Sequence, residues 1–130
     1  LEQHKAEIEA VGLQIVNIGL GRPEHAERYC GKLAPNLTCF AATDNEPYYA
    51  YGLRQSNTGE LLKTGIGLLR ATATAMRAGH SQSKSTGDVA MMPGTFIVDE
   101  AGVLRYCYYS QYAGDDPSIE QLIEFARQMR

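Results

Sequence analysis

Apolar positions recur along this chain in short blocks whose spacing changes from block to block. In residues 1–11, Leu1, Ile8 and Val11 share one face and charged side chains fill the rest, which predicts a helix with no polar cap before it. Gly12 ends that helix, and Leu13–Ile18 is a short, mostly apolar run of the kind buried on both faces of a parallel sheet. Gly19–Arg22 turns the chain, and Pro23 suits the first position of a second helix, with Glu24 in its first turn and an end near Leu33. Pro35-Asn36 punctuates the sequence before a second strand, Leu37–Ala42. The polar turn Thr43–Pro47 then opens a short helix through Tyr48–Tyr51, closed by Gly52.

From Gly59 to Ala78, Leu62, Ile66, Leu69, Ala73 and Met76 recur at spacings of four, three, four and three, an apolar stripe on a helix of about five turns. Gly65 and Gly67 weaken its centre by about 1 kcal/mol each relative to alanine. Residues 79–90 are poor in apolar side chains and are expected to form a loop. Thr95–Val98 and Val103–Tyr109, joined by an acidic turn carrying Gly102, carry the signature of a β-hairpin, with Pro93 at its entry and a cis Met92–Pro93 bond expected there. Gly114–Ser118 marks a helix start, with Asp115-Asp116 as the expected cap and Pro117 in the first turn. Ile119, Leu122, Ile123, Ala126 and Met129 line one side of the helix that follows.

The order predicts an α/β fold with one mixed sheet, in which 13–18 and 37–42 are parallel neighbours and 95–98 and 103–109 an antiparallel hairpin. Helices at 1–11, 23–33 and 119–129 suffice to cover that sheet. The 60–78 stripe is therefore expected to be partly exposed, and Leu62, Ile66 and Leu69 are candidates for a partner surface in a homo-oligomer or larger complex.

At 130 residues the chain is read as a single domain, 1–130, large enough to bury roughly two-thirds of its unfolded surface. The net charge of −3 and the scattered placement of Lys63, Arg70 and Arg77 argue against nucleic acid as a partner. Cysteines occur at 30, 39 and 107, with no Cys-x-x-Cys pair and no zinc-like spacing to His4, His25 or His80, so neither a disulfide framework nor a metal site is indicated. Cys39 beside Phe40, and Cys107 between Tyr106 and Tyr108, read as buried strand residues. Cys30 lies near the end of the second helix, where the helix field disfavours a thiolate, and is a candidate secondary thiol. Gly19-Leu20-Gly21 lacks the third glycine of a dinucleotide turn, since position 24 is Glu24, and no cofactor is expected. No apolar run reaches the length of a membrane span and no charged-then-apolar leader precedes Leu1, so a soluble, cytoplasmic protein is expected.

Four segments carry a family resemblance. They are Val16–Gly19 leading into Arg22-Pro23-Glu24, Asp44 to Leu53 with Tyr49-Ala50-Tyr51-Gly52-Leu53-Arg54, Pro93–Asp99, and Arg105-Tyr106 through Ala113–Pro117. In order and spacing they resemble the peroxiredoxin-like branch of the AhpC/TSA antioxidant family, within the thioredoxin-like superfamily, with residues 59–79 resembling a helical insertion of that branch. The resemblance implies a thiol-dependent antioxidant or disulfide oxidoreductase whose partners are a thiol reductant or a disulfide protein substrate. It also implies that Pro93, Gly94 and Thr95 form part of the active-site wall.

Two departures qualify it. The family's working cysteine precedes the first helix, where a helix N-terminus stabilises the thiolate. Residue 1 here already falls in that helix, so the cysteine is expected upstream, in an N-terminally truncated sequence, and the chain alone is expected to be inactive. The arginine that related peroxidases often place two residues before the Thr-Phe of the hairpin is here Pro93, leaving Arg54 and Arg105 as candidates to replace it in space. The rival expectation is a non-catalytic thioredoxin-like interaction module or accessory subunit that uses the 60–78 helix and the tyrosine-rich edge for binding.

Overall fold

A computed structural model describes residues 1–55, 91–112 and 114–130. The expected helix at 59–79, the loop after it, and Leu62, Ile66 and Leu69 lie outside the described residues. The chain divides into two compact units, residues 1–47 with 117–130, and residues 48–116.

In the first unit a 3-10 turn, Glu2–His4, leads into α1 (Lys5–Ala10). Ile8 is the buried residue of α1, and α1 packs against α4 (Ile119–Gln128), which buries Leu122 and Ala126. The helical spacing of those apolar residues is what brings one face of each helix to the other. Gly12, at φ +86°, reverses the chain after α1, with the Gly12 N–H donating to the Glu9 carbonyl and the Leu13 N–H to that of Ile8; a residue with a Cβ would be strained there. α4 is capped by Ser118 rather than by Asp115-Asp116. Ser118 Oγ accepts from the Gln121 N–H at 3.2 Å, and Gln121 Oε1 accepts from the Ser118 N–H at 2.9 Å, a reciprocal capping box. Pro117 therefore precedes the cap instead of opening the first turn. The Asp115 carboxylate is engaged elsewhere, by the Tyr108 hydroxyl and the Gln111 N–H.

β1 (Val16–Leu20) and β2 (Thr38–Ala42) pair in parallel, with Asn17 opposite Cys39 and Ile18 opposite Phe40. Between them α2 (Pro23–Leu33) starts at the expected proline, and the Arg22 N–H is satisfied by His25 Nδ1 at 3.2 Å. Burial on both faces of this pair is not observed. Val16, Ile18 and Phe40 share one face and are 51%, 49% and 56% exposed. An apolar run shows what a strand is able to bury, whereas cover depends on which element packs against it, and α2 is held on the face that carries Cys39.

That attachment is covalent. Cys30 of α2 and Cys39 of β2 form a disulfide, with Cα atoms 6.5 Å apart. It corrects the expectation of no disulfide and the reading of Cys39 as a buried apolar residue, and Cys30, the candidate secondary thiol, is its other sulfur. Cysteine spacing rules do not register that a helix returning along its strand brings residues nine apart together. Cys107, expected to be buried, is a free and exposed cysteine on β4.

The second unit carries α3 (Glu46–Ala50), which begins in the first unit, and the hairpin of β3 (Gly94–Val98) and β4 (Leu104–Tyr109). Gly94 faces Tyr109 and Phe96 faces Cys107, with a register irregularity between Ile97 and Val98. Asp99 organises the turn. Its Oδ1 accepts from the N–H groups of Ala101 and Val103, each at 2.9 Å, and its Oδ2 accepts from Arg105 Nε at 2.6 Å, while Gly102 takes φ +79°. The Val103 N–H first, then Arg105, hold the Asp99 carboxyl below the usual carboxylate range.

Among the described residues the two strand pairs form two separate two-stranded sheets, in place of the single mixed sheet expected. Each pairing is as the pattern predicts. A run of apolar residues states the need for cover but leaves open which strand edges exchange hydrogen bonds. The parallel pair, the antiparallel hairpin and the flanking helices fit a thioredoxin-like α/β fold.

Two expectations follow from these contacts. α2 packs along β2 without fully burying any of its own residues, and the disulfide adds a covalent tie between the two. Cys39→Ser should cost about 2–3 kcal/mol, seen as a lower denaturant midpoint at unchanged slope. For Asp99, a folded pKa below the unfolded one contributes stability that is present above about pH 4 and is lost as pH falls through the folded value. Asp99→Asn should flatten that part of the acid-unfolding profile; an unchanged profile would show that the turn does not depend on the charge.

Candidate functional site

The entry to β3 lies beside the segment that follows α3. Gly52 closes the short helix at φ +78°, and the Leu53 N–H donates to the Tyr48 carbonyl at 2.9 Å. Burial pushes the Tyr48 phenol above its ordinary pKa. The chain then runs alongside residues 91–93, with the Met92 N–H donating to the Arg54 carbonyl at 3.0 Å and an antiparallel bridge between Gln55 and Met91. On the other side, the Pro93 carbonyl accepts from the Ser110 N–H at 3.2 Å. Pro93 has no N–H to offer a ladder, so its place just before β3 is where the strand tolerates it. The Met92–Pro93 bond is trans, and the cis bond expected there is absent, as no described peptide bond is cis. The hydrogen bonds through Met92 and Pro93 hold the entry of β3 with a trans bond.

Three aromatic rings fix this corner. Phe96 lies between Tyr51, at 5.0 Å between centroids, and Tyr109, at 5.5 Å and close to edge-on. The Tyr109 hydroxyl donates to the Tyr51 carbonyl at 3.0 Å. Gly94 completes the packing, since a Cβ there would stand 2.8 Å from Leu53 Cδ2 and 2.9 Å from the Phe96 ring. The sequence marked Gly94 for the active-site wall; its visible reason to be glycine is the room taken by these two side chains.

An open cleft of about 150 Å³ lies between the two segments. Gly52, Leu53 and Arg54 line one side, and Met92, Pro93, Tyr109, Ser110 and Gln111 the other. The volume is below the usual range for a small-molecule site, so it suits a short group and not a whole cofactor. Ser110 is 5% exposed and, among the described residues, its hydroxyl has no hydrogen-bond partner, an unusual condition for a buried polar group. Among the described residues that line the cleft there is no histidine, carboxylate or cysteine. The cleft offers apolar walls, a hydroxyl, an amide and Arg54, and thus a place to seat a polar chain segment.

Of the residues marked from sequence, Pro93 lines the cleft directly, and Gly94 and Thr95 continue from it into β3. Cys30 belongs to the first unit and is disulfide-bonded. Of the two arginines considered, Arg54 lines the cleft, whereas Arg105 is drawn to Asp99 at the hairpin turn. Ser110, Tyr109, Phe96 and Tyr51 were not singled out as site residues. The tyrosine-rich run 106–112 and the Tyr49–Arg54 segment were visible signals, but their meeting depends on the hairpin register. Beyond β4, the Tyr108 hydroxyl donates to Asp115 at 2.8 Å, and this carboxylate pushes the phenol's pKa up.

Gly94→Ala should destabilise the protein by about 1–3 kcal/mol through crowding of Leu53 and Phe96. A thermal midpoint unchanged from that of the wild type would show that the corner is loosely packed.

A family model described as AhpC/TSA antioxidant enzyme matches residues 1–111. No curated protein and no solved structure matches the chain significantly. No helix among the described residues is long and apolar enough to cross a membrane.

Proposed function

The chain belongs to the AhpC/TSA antioxidant enzyme family, and from that membership we propose that it serves as a thiol-dependent antioxidant or disulfide oxidoreductase, with Pro93, Gly94 and Thr95 as a wall of the reacting site. The family match over residues 1–111 is the observation that carries this reading. The cleft supports it, because Pro93 stands at an open edge between two polar side chains and an arginine.

The chemistry requires a thiolate nucleophile, best formed at a helix N-terminus. Cys30 and Cys39 are joined to each other, and Cys107 lies on a strand, so none of the three cysteines of the sequence meets that requirement. The nucleophile is accordingly assigned to a cysteine outside residues 1–130, and the cleft is assigned to seat part of the reductant or disulfide substrate. A thiol reductant and a disulfide-containing protein are the partners this assigns.

Residues 1–130 alone are expected to consume no hydroperoxide above the uncatalysed rate with a dithiol present, whereas the product of the whole gene is expected to turn over. Peroxide consumption by residues 1–130 that Cys30→Ser abolishes would place the nucleophile within this chain and overturn the assignment.

A further inference from the structure

The Cys30–Cys39 disulfide joins the last turn of α2 to the second residue of β2, and both residues are half-buried. Its two sulfurs are not equivalent. Asn17, the register partner of Cys39 on β1, points its side-chain amide at Cys39 Sγ over a long 3.9 Å contact. Cys30 sits toward the C-terminal end of α2, where the negative pole of the helix opposes a thiolate. A thiolate released on opening is thus better stabilised at Cys39 than at Cys30. α2 contains no fully buried residue, so the bond can open without dismantling a closed core.

We propose that Cys30–Cys39 is a thiol–disulfide exchange site for a dithiol reductant, attacked at Cys30 with Cys39 leaving as the thiolate. One thiolate of the dithiol attacks Cys30 Sγ, a mixed disulfide forms there, and the Cys30–Cys39 bond breaks with its electron pair on Cys39 Sγ, which takes up a proton. The second thiolate of the dithiol then attacks its own sulfur in the mixed disulfide and releases Cys30, which is protonated in turn. Two electrons and two protons pass to the chain, and the dithiol leaves as a disulfide. The reverse sequence, with a disulfide as the oxidant, restores the bond. Opening removes the covalent tie between α2 and β2 and leaves their packing contact, so the exchange also sets how firmly that helix is held. The site is separate from the proposed peroxide chemistry, because both sulfurs are in this chain and no upstream cysteine is required.

The test uses the folded chain, purified under oxidising conditions and kept free of denaturant. It is treated with dithiothreitol for a series of times, quenched in acid, alkylated and mapped by mass spectrometry. Cys30 and Cys39 should gain label together, while Cys107 is labelled from the start. Glutathione in place of dithiothreitol should be trapped on Cys30 in roughly tenfold excess over Cys39, and Asn17→Ala should slow opening about fivefold. Hydrogen exchange of the α2 amides should rise on reduction. Four results would each overturn the proposal: two free thiols in the oxidised preparation, opening only after denaturation, glutathione mainly on Cys39, or a rate indifferent to Asn17→Ala. Cys39→Ser leaves Cys30 as the one thiol of the pair, and oxidised glutathione should transfer one glutathione to it while the other leaves as the thiol; should this variant fail to fold, the wild-type glutathione map decides. Peroxide consumption enters none of these readouts, so failure here is distinct from failure of the proposed function.

Discussion

The corner made by Tyr51, Phe96 and Tyr109 is the constraint on which the cleft depends. The Tyr109 hydroxyl ties the end of β4 to the Tyr51 carbonyl, and the Phe96 ring fills the space beneath. Beside that clamp, the Met92 N–H to Arg54 carbonyl bond and the Gln55–Met91 bridge also hold residues 52–55 against residues 91–92. Aromatic contacts of this kind contribute about 0.5–1.5 kcal/mol each beyond simple burial, and one hydrogen bond about 1 kcal/mol, so the clamp is comparable to a tightly packed core residue. Gly94 keeps the rings close by having no side chain.

The first unit is held differently. α1 and α4 meet through Ile8, Leu122 and Ala126, an ordinary apolar contact set by helical periodicity. α2 has no such contact of full burial and is attached to the sheet by a disulfide. A helix held in part by a covalent bond between half-buried sulfurs responds to the redox state of its surroundings more than one held by a buried face alone. The difference makes α2 the element of this unit whose attachment chemistry can change.

Both units leave apolar side chains in contact with solvent, among them Val16, Ile18 and Phe40 on the parallel pair and Val98 and Leu104 on the hairpin. Scattered apolar exposure is normal for a protein surface. Val16, Ile18 and Phe40 are distinguished by lying on one face of one strand pair, so that face of β1 and β2 is apolar and uncovered within its own unit.

Local pattern alone located most of the elements. Pro23 opens α2, Gly12 and Gly52 close their helices at positive φ, the Asp99–Gly102 turn makes the hairpin, and strand ends fall within about three residues of expectation. These features depend on neighbours in sequence, through propensity, capping and the stereochemistry of glycine and proline. The family resemblance was legible for the same reason, in short motifs that keep their order along the chain. Tertiary structure alone decided the rest. Ser118 rather than Asp115 caps α4 because Tyr108 and Gln111 already hold the Asp115 carboxylate. Cys30 meets Cys39 because α2 folds back along β2, and Ser110 reaches Pro93 because the hairpin register places it there. Each of these is a choice among partners distant in sequence, and periodicity carries no information about which partner is brought within reach.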